Sequence, residues 1–244
     1  MTKLSRMKVF VGTSGFSYSW NPDGLEWYLK RSGLNSLELN ASFYRFPFPN
    51  QVKSWAKKTM RFSPNLRWAI KVNRFVTHVF KLGDRAYQTW MKFKKLFEPL
   101  DNKIDFYLFQ LPPSLEPSEK YVQRIEKFVS KCELGERFAL EWRNMNWFTD
   151  KWIRWAENLG ITLVSIDSPD FPREIYATNN IVYLRLHGRT AWYSHYYTDE
   201  ELEEIAQKIV EKKPEKAYIY LNNNHGMLPN AQTILKILKN LISK

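Results

Sequence analysis

The sequence has a single cysteine, Cys132, among its 244 residues. One cysteine excludes an internal disulfide and leaves no cysteine cluster for zinc, as is typical of proteins in a reducing compartment. No apolar run approaches the roughly 18 residues that span a bilayer, and the stretch before Gly12 is too short for a signal-peptide core. These absences predict a cytoplasmic protein with no membrane partner.

Common cofactor motifs are missing as well. The sequence contains no Walker A motif, no dinucleotide-binding G-x-G-x-x-G and no H-E-x-x-H, so no cofactor is predicted from motifs. Internal repeats and low-complexity segments are also missing, which favours one domain over residues 1–244. The length is close to the roughly 250 residues typical of a β/α barrel.

What the sequence has in excess is positive charge. It contains 37 Lys and Arg against 25 Asp and Glu, giving a formal net charge of +12 and a pI near 9.6. This excess indicates an anionic partner, either a small anionic or phosphorylated substrate or a nucleic acid. The alternative is that the lysines lie on ordinary solvated helix faces.

Short apolar segments alternate with longer amphipathic ones, which is typical of βα units. Strands are predicted at 8–12, 36–39, 67–72, 104–110, 137–141, 162–166, 181–186 and 217–221, and helices at 51–58, 85–97, 119–131, 150–159, 200–212 and 231–242. Residues 167–180 hold two prolines and no helical period. The pattern predicts an α/β fold, a single (β/α)₈ TIM-type barrel that is degenerate around its sixth helix.

Active sites of such barrels lie where strands end and βα loops begin. The residues at these places are unusually polar: Thr13, Ser14, Gly15, Glu38, Asn40, Lys71, Asn73, Gln110, Glu141, Arg143, Asp167, Arg185, His187, Arg189, Asn222, Asn223 and Asn224. Several are two residues apart, a spacing that directs both side chains to one side of a strand. The set therefore predicts a functional site at the barrel mouth, the alternative being ion pairs, such as Glu141 with Arg185, that only close the barrel.

Two local signals are weaker. The GTSG turn at residues 12–15 resembles a phosphate-binding turn with free backbone N–H groups. Of the four histidines, His187 lies at a strand end, whereas His195 is expected in a loop, and His78 and His225 have no evident partner.

Six ordered segments resemble one family: VGTSGFSYSW, LELNASFYRFP, FQLPPSL, ALEWRNMNWF, YLRLHGR and YLNNN. In register from about Val9 to the C-terminus, they are similar to the domain-of-unknown-function 72 family, also called YecE-like. The resemblance implies a TIM barrel and supplies no established activity. It implies a site at Gly12, Ser14, Gly15, Glu38, Asn40, Phe43, Tyr44, Lys71, Gln110, Pro112, Pro113, Glu141, Arg143, Asp167, Arg185, His187, Gly188, Arg189 and Asn222 to Asn224. Trp142 and Leu221 depart from the family pattern, which puts the shape of the pocket in doubt.

The first functional hypothesis is an enzyme performing acid/base chemistry on an anionic, phosphate-bearing substrate, such as a nucleotide or nucleic acid. Lys71, Arg143 and Arg185 would clamp the anion. Glu141 would be the general base, with a pKa raised by burial, and His187 an acid or base. Asp167 completes the catalytic set. The substrate-binding set is Ser14, Glu38, Asn40, Tyr44, Lys71, Gln110, Arg143, Arg185, Arg189, Asn222 and Asn223.

Two alternatives stay open. Glu38, Glu141, Asp167 and His187 could together hold a divalent metal in a hydrolase or isomerase, although the surrounding cations would repel it. A non-catalytic nucleic-acid-binding barrel would instead use its basic surface and exposed rings, for which the candidates are Phe16, Trp20, Tyr44, Trp142, Trp147 and Trp192.

Overall fold

Eight parallel strands form the centre of the computed structural model, which describes residues 7–243. The strands are β1 (Lys8–Thr13), β2 (Ser36–Leu39), β3 (Arg67–Lys71), β4 (Ile104–Gln110), β5 (Phe138–Glu141), β6 (Thr162–Asp167), β7 (Ile181–Leu186) and β8 (Lys216–Leu221). Their order in the sheet is β1-β8-β7-β6-β5-β4-β3-β2. All eight predicted strands are confirmed, each with ends within one residue of those expected. The residues before Met7, used for the prediction about a signal peptide, lie outside the described part of the chain.

Among residues 7–243, seven α-helices surround the strands: α1 (Gly24–Arg31), α2 (Pro49–Phe62), α3 (Asp84–Leu96), α4 (Glu119–Cys132), α5 (Asp150–Asn158), α6 (Asp199–Glu211) and α7 (Met227–Ile242). Six of them were predicted. Helix α1 was missed because it has only two turns and follows a Pro-Asp-Gly sequence that is typical of a loop. Between β6 and β7, residues 168–180 contain no helix, as expected. Among residues 7–243, none of the helices has the length and apolar character needed to cross a membrane.

Aromatic rings fill the barrel interior at its lower end, where the strands begin. Phe10 stacks on Tyr218 with ring centroids 4.6 Å apart, and Phe106 contacts both Tyr218 and Tyr183. Tyr220 continues this inner cluster, and its hydroxyl lies 2.7 Å from the Ser36 hydroxyl. Because large side chains occupy the lumen, the barrel is a packed core, and a small molecule has room only at its upper mouth.

The seam between β1 and β2 closes the barrel through side chains. Asn35 accepts a hydrogen bond from the Val11 amide (2.8 Å) and donates to the Val9 carbonyl (2.7 Å). The Tyr28 hydroxyl accepts from the Thr13 amide (3.2 Å) and donates to the Ser36 carbonyl (2.7 Å). These contacts satisfy backbone groups that a strand ladder would otherwise pair. Above them, a parallel bridge between Ser14 and Glu38 joins the two strands.

Candidate functional site at the barrel mouth

Successive side chains of a strand point alternately into and out of the barrel, and this alternation determines which polar side chains reach the mouth. Ala69, Leu108 and Ala139 belong to the inner cluster, so the residues two positions later, Lys71, Gln110 and Glu141, also face the lumen. By the same alternation the inward set comprises Ser14, Glu38, Asn40, Lys71, Gln110, Glu141, Arg143, Arg185, His187 and Asn222. The structure thus brings together most of the predicted site residues, which come from the ends of seven of the eight strands.

Arg185 lies at the centre of this set and is fully buried. Its Nε and Nη2 atoms donate to Glu38 at 2.7 to 3.2 Å, and its Nη1 atom donates to Glu141 Oε2 at 2.6 Å. Arg185 was predicted to clamp a substrate anion, but every guanidinium nitrogen already has a carboxylate partner. It therefore serves as the counterion of two buried carboxylates, so the ion pair considered for closing the barrel is present.

Glu141 carries its charge permanently. Burial opposes ionisation, but Arg143, Arg185 and Lys71 together outweigh it and lower the pKa of Glu141 to about 2. The carboxylate accepts hydrogen bonds from Arg143 Nε and Arg185 Nη1. The prediction of a raised pKa for Glu141 is wrong because that prediction considered burial without the two arginines. A carboxylate of this kind is a weak general base near neutral pH.

Glu38 is also saturated by protein donors. Its oxygens accept from the hydroxyl of Ser14, from the Tyr183 hydroxyl at 2.7 Å and from Arg185. The GTSG turn beside it does not offer free N–H groups, contrary to expectation. The Ser14 amide donates to the Leu221 carbonyl (2.8 Å) and the Gly15 amide to the Glu38 carbonyl (2.7 Å), because this turn is part of the strand pairing that closes the barrel.

His187 is fully buried between the guanidinium group of Arg143 and the side-chain amide of Asn222. Its Nε2 atom is 3.1 Å from Arg143 Nη2, and its Nδ1 atom is 3.1 Å from the Asn222 side-chain amide. An arginine only donates, so Nε2 accepts and the neutral ring carries its proton on Nδ1, which requires the Asn222 oxygen to face it. Burial, Arg185 and Arg143 lower the pKa of His187 well below its ordinary value. The ring is therefore neutral at physiological pH.

The metal alternative is not supported by this geometry. Among residues 7–243, no group of three or more His, Cys, Asp or Glu side chains is placed to hold a metal ion. The guanidinium of Arg185 occupies the space between Glu38 and Glu141, where a cation would have to lie. Asp167 does not join them, because Val164 and Ile166 face the lumen and the next residue along β6 faces the other side.

Asp167 instead organises the loop after β7. It accepts from the Tyr197 hydroxyl at 2.8 Å and from Arg189 Nε at 3.2 Å, and Arg189 also contacts Glu204 at 2.8 Å. Asn223 likewise donates to the His195 carbonyl and to Asn230, both at 2.8 Å, and so holds this loop against α7. Three predicted site residues, Asp167, Arg189 and Asn223, are thus placed as supports of the loop.

Lys71 is the exception in this paired environment. It is 7% exposed, and its amine forms no hydrogen bond or ion pair with any residue between 7 and 243. The amine lies 4.3 Å from the centroid of the Phe43 ring. Burial first, and then Arg185, lowers the pKa of Lys71 to about 7, against a smaller opposite effect of Glu141. Near neutral pH this lysine is divided between its charged and uncharged forms.

Other polar groups beside Lys71 also lack partners within the described chain. Asn40 Oδ1 is buried without a hydrogen bond, and neither the Gln110 side chain nor Arg143 Nη1 contacts a protein acceptor. Tyr44, on the loop after β2, is 66% exposed. The unpaired groups on the β2 to β5 side of the mouth are therefore the ones available to a ligand.

Two contributors to the mouth were missed or misjudged from sequence. His78, in a π-helical turn directly after β3, packs on Phe43 with ring centroids 4.9 Å apart, and burial and Lys71 lower its pKa to about 4. Its place just beyond a strand end was the available signal. Trp192 covers Arg143, with the guanidinium carbon 4.8 Å from the ring centroid.

The prediction that Trp142 and Trp147 are exposed is wrong. They are 1% and 0% exposed and stack on each other with centroids 5.7 Å apart, in the layer between β5 and the outer helices. Strand alternation directs Glu141 into the lumen and the next residue outward. These two rings belong to the core and are not available to stack on bases.

Comparisons with known proteins agree with this architecture. A family model described as "Protein of unknown function DUF72" matches residues 10–242. A solved DUF72 family protein from Thermotoga maritima is 26% identical, with a TM-score of 0.78 over 97% of this chain and 100% of that one. A DUF72 family protein from Enterococcus faecalis is 21% identical, with a TM-score of 0.78 over 96% and 98% of the two chains.

A D-psicose 3-epimerase from Clostridium cellulolyticum shares the barrel at 11% identity, with a TM-score of 0.60 over 97% and 99% of the two chains. That likeness concerns the fold alone. None of the curated proteins compared with the chain matches it. The family match over nearly all of the sequence, on a barrel whose mouth carries the expected residues, establishes that the chain belongs to the DUF72 family.

Proposed function

We propose that this protein is an enzyme that binds a small anionic substrate at the barrel mouth and transfers protons through Lys71. The observation that carries the proposal is that the three cations of the mouth, Arg185, Lys71 and Arg143, have different partners. Arg185 neutralises the buried carboxylates Glu38 and Glu141, whereas Lys71 and Arg143 keep unpaired donor groups toward the mouth. An anion entering the mouth finds donors that no protein acceptor already uses.

The roles differ from those expected from sequence. Arg143 is held by Glu141 and His187, so its guanidinium is oriented and its Nη1 atom is left to contact a phosphate or carboxylate oxygen. Lys71, with a pKa of about 7, replaces Glu141 as the group that exchanges a proton near neutral pH. His187 then acts as a positioning residue for Arg143.

Anion binding is expected to take up a proton. At pH 8 the Lys71 amine is mostly uncharged, and a bound anion beside it favours its charged form. We expect close to one proton taken up per phosphate or pyrophosphate bound at pH 8, and little uptake at pH 6. Isothermal titration calorimetry in two buffers of different ionisation enthalpy measures this number.

The matched variants are Lys71→Met, which should bind without proton uptake, and Arg143→Gln, which should bind about tenfold or more weakly. Lys92→Met and Arg154→Gln, at exposed positions on α3 and α5, serve as controls that should behave as wild type. The proposal fails if neither anion binds, or if binding is the same in Arg143→Gln as in wild type.

A second candidate, nucleic-acid binding, is supported by the distribution of charge on the outer helices. Helix α2 carries four basic and no acidic side chains, whereas α6 carries six acidic and one basic. Lys53, Lys57 and Arg61 are exposed at four-residue spacing, which places them along one face of α2. Phosphate groups of a nucleic acid would be attracted to this side and repelled by α6.

The two candidates differ in where phosphate binds. If α2 is the nucleic-acid surface, single-stranded oligonucleotides should bind with a steep salt dependence that is reduced in a Lys53→Gln, Lys57→Gln, Arg61→Gln variant and unchanged in Arg143→Gln. Fluorescence anisotropy over a salt series measures the slope. Absence of binding at low salt, or equal slopes in wild type and the α2 variant, excludes this candidate.

A further inference from the structure

Lys71 differs from every other lysine between residues 7 and 243, because it alone is buried. Its position follows from the strand: Ala69 faces the lumen, and the residue two positions on must also face inward, where β3 ends. A lysine in such a place loses hydration, and here the nearby carboxylates Glu141 and Glu38 offset that loss only in part because both are bound to arginines. A lysine that costs stability at the mouth of a barrel is a candidate for a chemical role.

We infer that Lys71 is a covalent residue that forms an imine with a small aldehyde or ketone carrying an anionic group. The inference rests on the proposed function and deepens it, because it names the bond formed and the substrate class. It is based on the buried, unpaired amine at the mouth, on the oriented Arg143 beside it, and on the unpaired acceptor of Asn40.

The amine is a nucleophile only in its uncharged form. The charged groups that face Lys71 are Arg185 from β7, Arg143 and Glu141 from β5, and Glu38 from β2. Both carboxylates are bound to arginines, so the surroundings resist a further positive charge, and the pKa of Lys71 falls to about 7. A surface lysine has an ordinary pKa near 10.4 and is almost wholly charged at neutral pH.

The surroundings of the amine fit a small oxygenated substrate. Phe43 forms an apolar wall 4.3 Å from Nζ, and the neutral ring of His78 packs on that wall. Arg143 Nη1 would bind the anionic group, and Asn40 Oδ1 would accept from a substrate hydroxyl. Because the lumen below is filled by rings, the substrate must enter from the loop side and present its carbonyl downward to Lys71.

The step conserves atoms and needs no oxidant. The lone pair on Lys71 Nζ attacks the carbonyl carbon, and a proton moves from nitrogen to the former carbonyl oxygen, giving a carbinolamine. The hydroxyl then takes up a proton from solvent, the carbon–oxygen bond breaks and the oxygen leaves as water, so that the added positive charge remains on the imine nitrogen. The resulting protonated imine withdraws electrons from the neighbouring carbon, which favours loss of a proton there.

Borohydride reduction traps an imine as a stable amine, so it tests the inference directly. Wild-type protein is incubated with dihydroxyacetone phosphate, pyruvate or dihydroxyacetone, reduced with sodium borohydride, and digested for peptide mass spectrometry. We expect at least tenfold faster labelling of Lys71 than of the exposed Lys92 at pH 7.5, with a rate that rises around pH 7. The phosphate and carboxylate probes distinguish which anionic group the mouth prefers.

Matched variants locate the reaction. Lys71→Met should lose the fast label and keep the slow surface labelling, whereas Lys92→Met should keep the fast label. Arg143→Gln should slow labelling by the two anionic probes about tenfold and leave dihydroxyacetone unaffected. Circular dichroism of each variant establishes that the barrel is folded.

The inference is overturned if Lys71 stays unlabelled by all three probes while Lys92 is labelled, or if Lys71→Met keeps the fast label. The proposed function is judged separately by the calorimetric titration. If the anion binds with proton uptake but Lys71 is not labelled, the imine is excluded, whereas proton transfer by Lys71 is still supported. If Lys71 is labelled equally fast in wild type and in Arg143→Gln, the substrate does not need an anionic group.

Discussion

Replacing Arg185 with methionine is expected to lower the free energy of unfolding by about 3 to 5 kcal/mol, the cost typical of removing one partner from a buried ion pair. Arg185, Glu38 and Glu141 are all fully buried, and the arginine contacts both carboxylates. The variant leaves Glu38 without its arginine partner and leaves Glu141 paired with Arg143 alone. Urea unfolding followed by tryptophan fluorescence at pH 7.5 measures the loss.

The pH dependence of this variant identifies the cause. Loss of the Arg185 charge raises the folded-state pKa of the buried Glu141 carboxylate, so the folded variant binds protons more readily than folded wild-type protein does. Folding of the variant therefore gains stability relative to wild type as pH falls, and its deficit should be smaller at pH 5 than at pH 8. Arg154→Met, at an exposed position on α5, is the control. A deficit below 1 kcal/mol that is independent of pH contradicts the ion-pair account.

Replacing Lys71 with methionine is expected to have the opposite effect and to stabilise the protein by about 3 to 5 kcal/mol at pH 6.5, at roughly 1.4 kcal/mol per unit of pKa shift. The folded-state pKa of about 7 lies well below the ordinary value of 10.5. Methionine has a similar length and carries no charge, so it fills the same space beside Phe43 without the cost of a buried ammonium group.

The sign of the pH dependence follows from the lowered pKa. Above about pH 10.5 the lysine is uncharged in both states and costs nothing. As pH falls toward 7, the unfolded chain binds a proton that the folded protein does not, so the destabilisation by Lys71 grows, and below pH 7 it is constant. The gain in Lys71→Met should therefore shrink to about 1 kcal/mol at pH 9.5. Urea unfolding at the two pH values tests this, and an equal or negative effect at pH 6.5 contradicts it.

These opposite effects separate two kinds of buried charge. Arg185 stabilises the fold because its partners are present, whereas Lys71 weakens the fold because it has none within the described chain. A residue that lowers stability and lies in a cleft is the usual sign of function, since active sites commonly retain unfavourable groups that stability alone would remove.

The fold and the residues that line the barrel mouth could be predicted because both follow from local periodicity in the sequence. Two-residue spacing placed Glu141 and Arg143 on one side of β5, and in the structure they form an ion pair. The same spacing placed Arg185 and His187 in the lumen. Strand ends were recognised because apolar runs stop abruptly at polar residues.

The pairing of these groups could not be predicted, since it depends on residues far apart in the chain. Glu38 and Arg185 meet across 147 positions, and only their contact shows that Arg185 is unavailable to a substrate. The lowered pKa of Glu141 likewise depends on arginines from two segments. Lys71 was expected to bind an anion together with Arg143 and Arg185. It differs from them because its amine has no hydrogen-bond or ion-pair partner within the described chain, and a sequence does not show such an absence.

The seam between β1 and β2 has a consequence for self-association. Asn35 and Tyr28 cover backbone groups of both strands below the Ser14–Glu38 bridge, where β1 and β2 at the two ends of the strand order would otherwise expose free edges. Free edges recruit strands from other molecules and lead to aggregation. Two side chains at this junction thus occupy backbone groups that would otherwise be open to a strand from another copy of the protein.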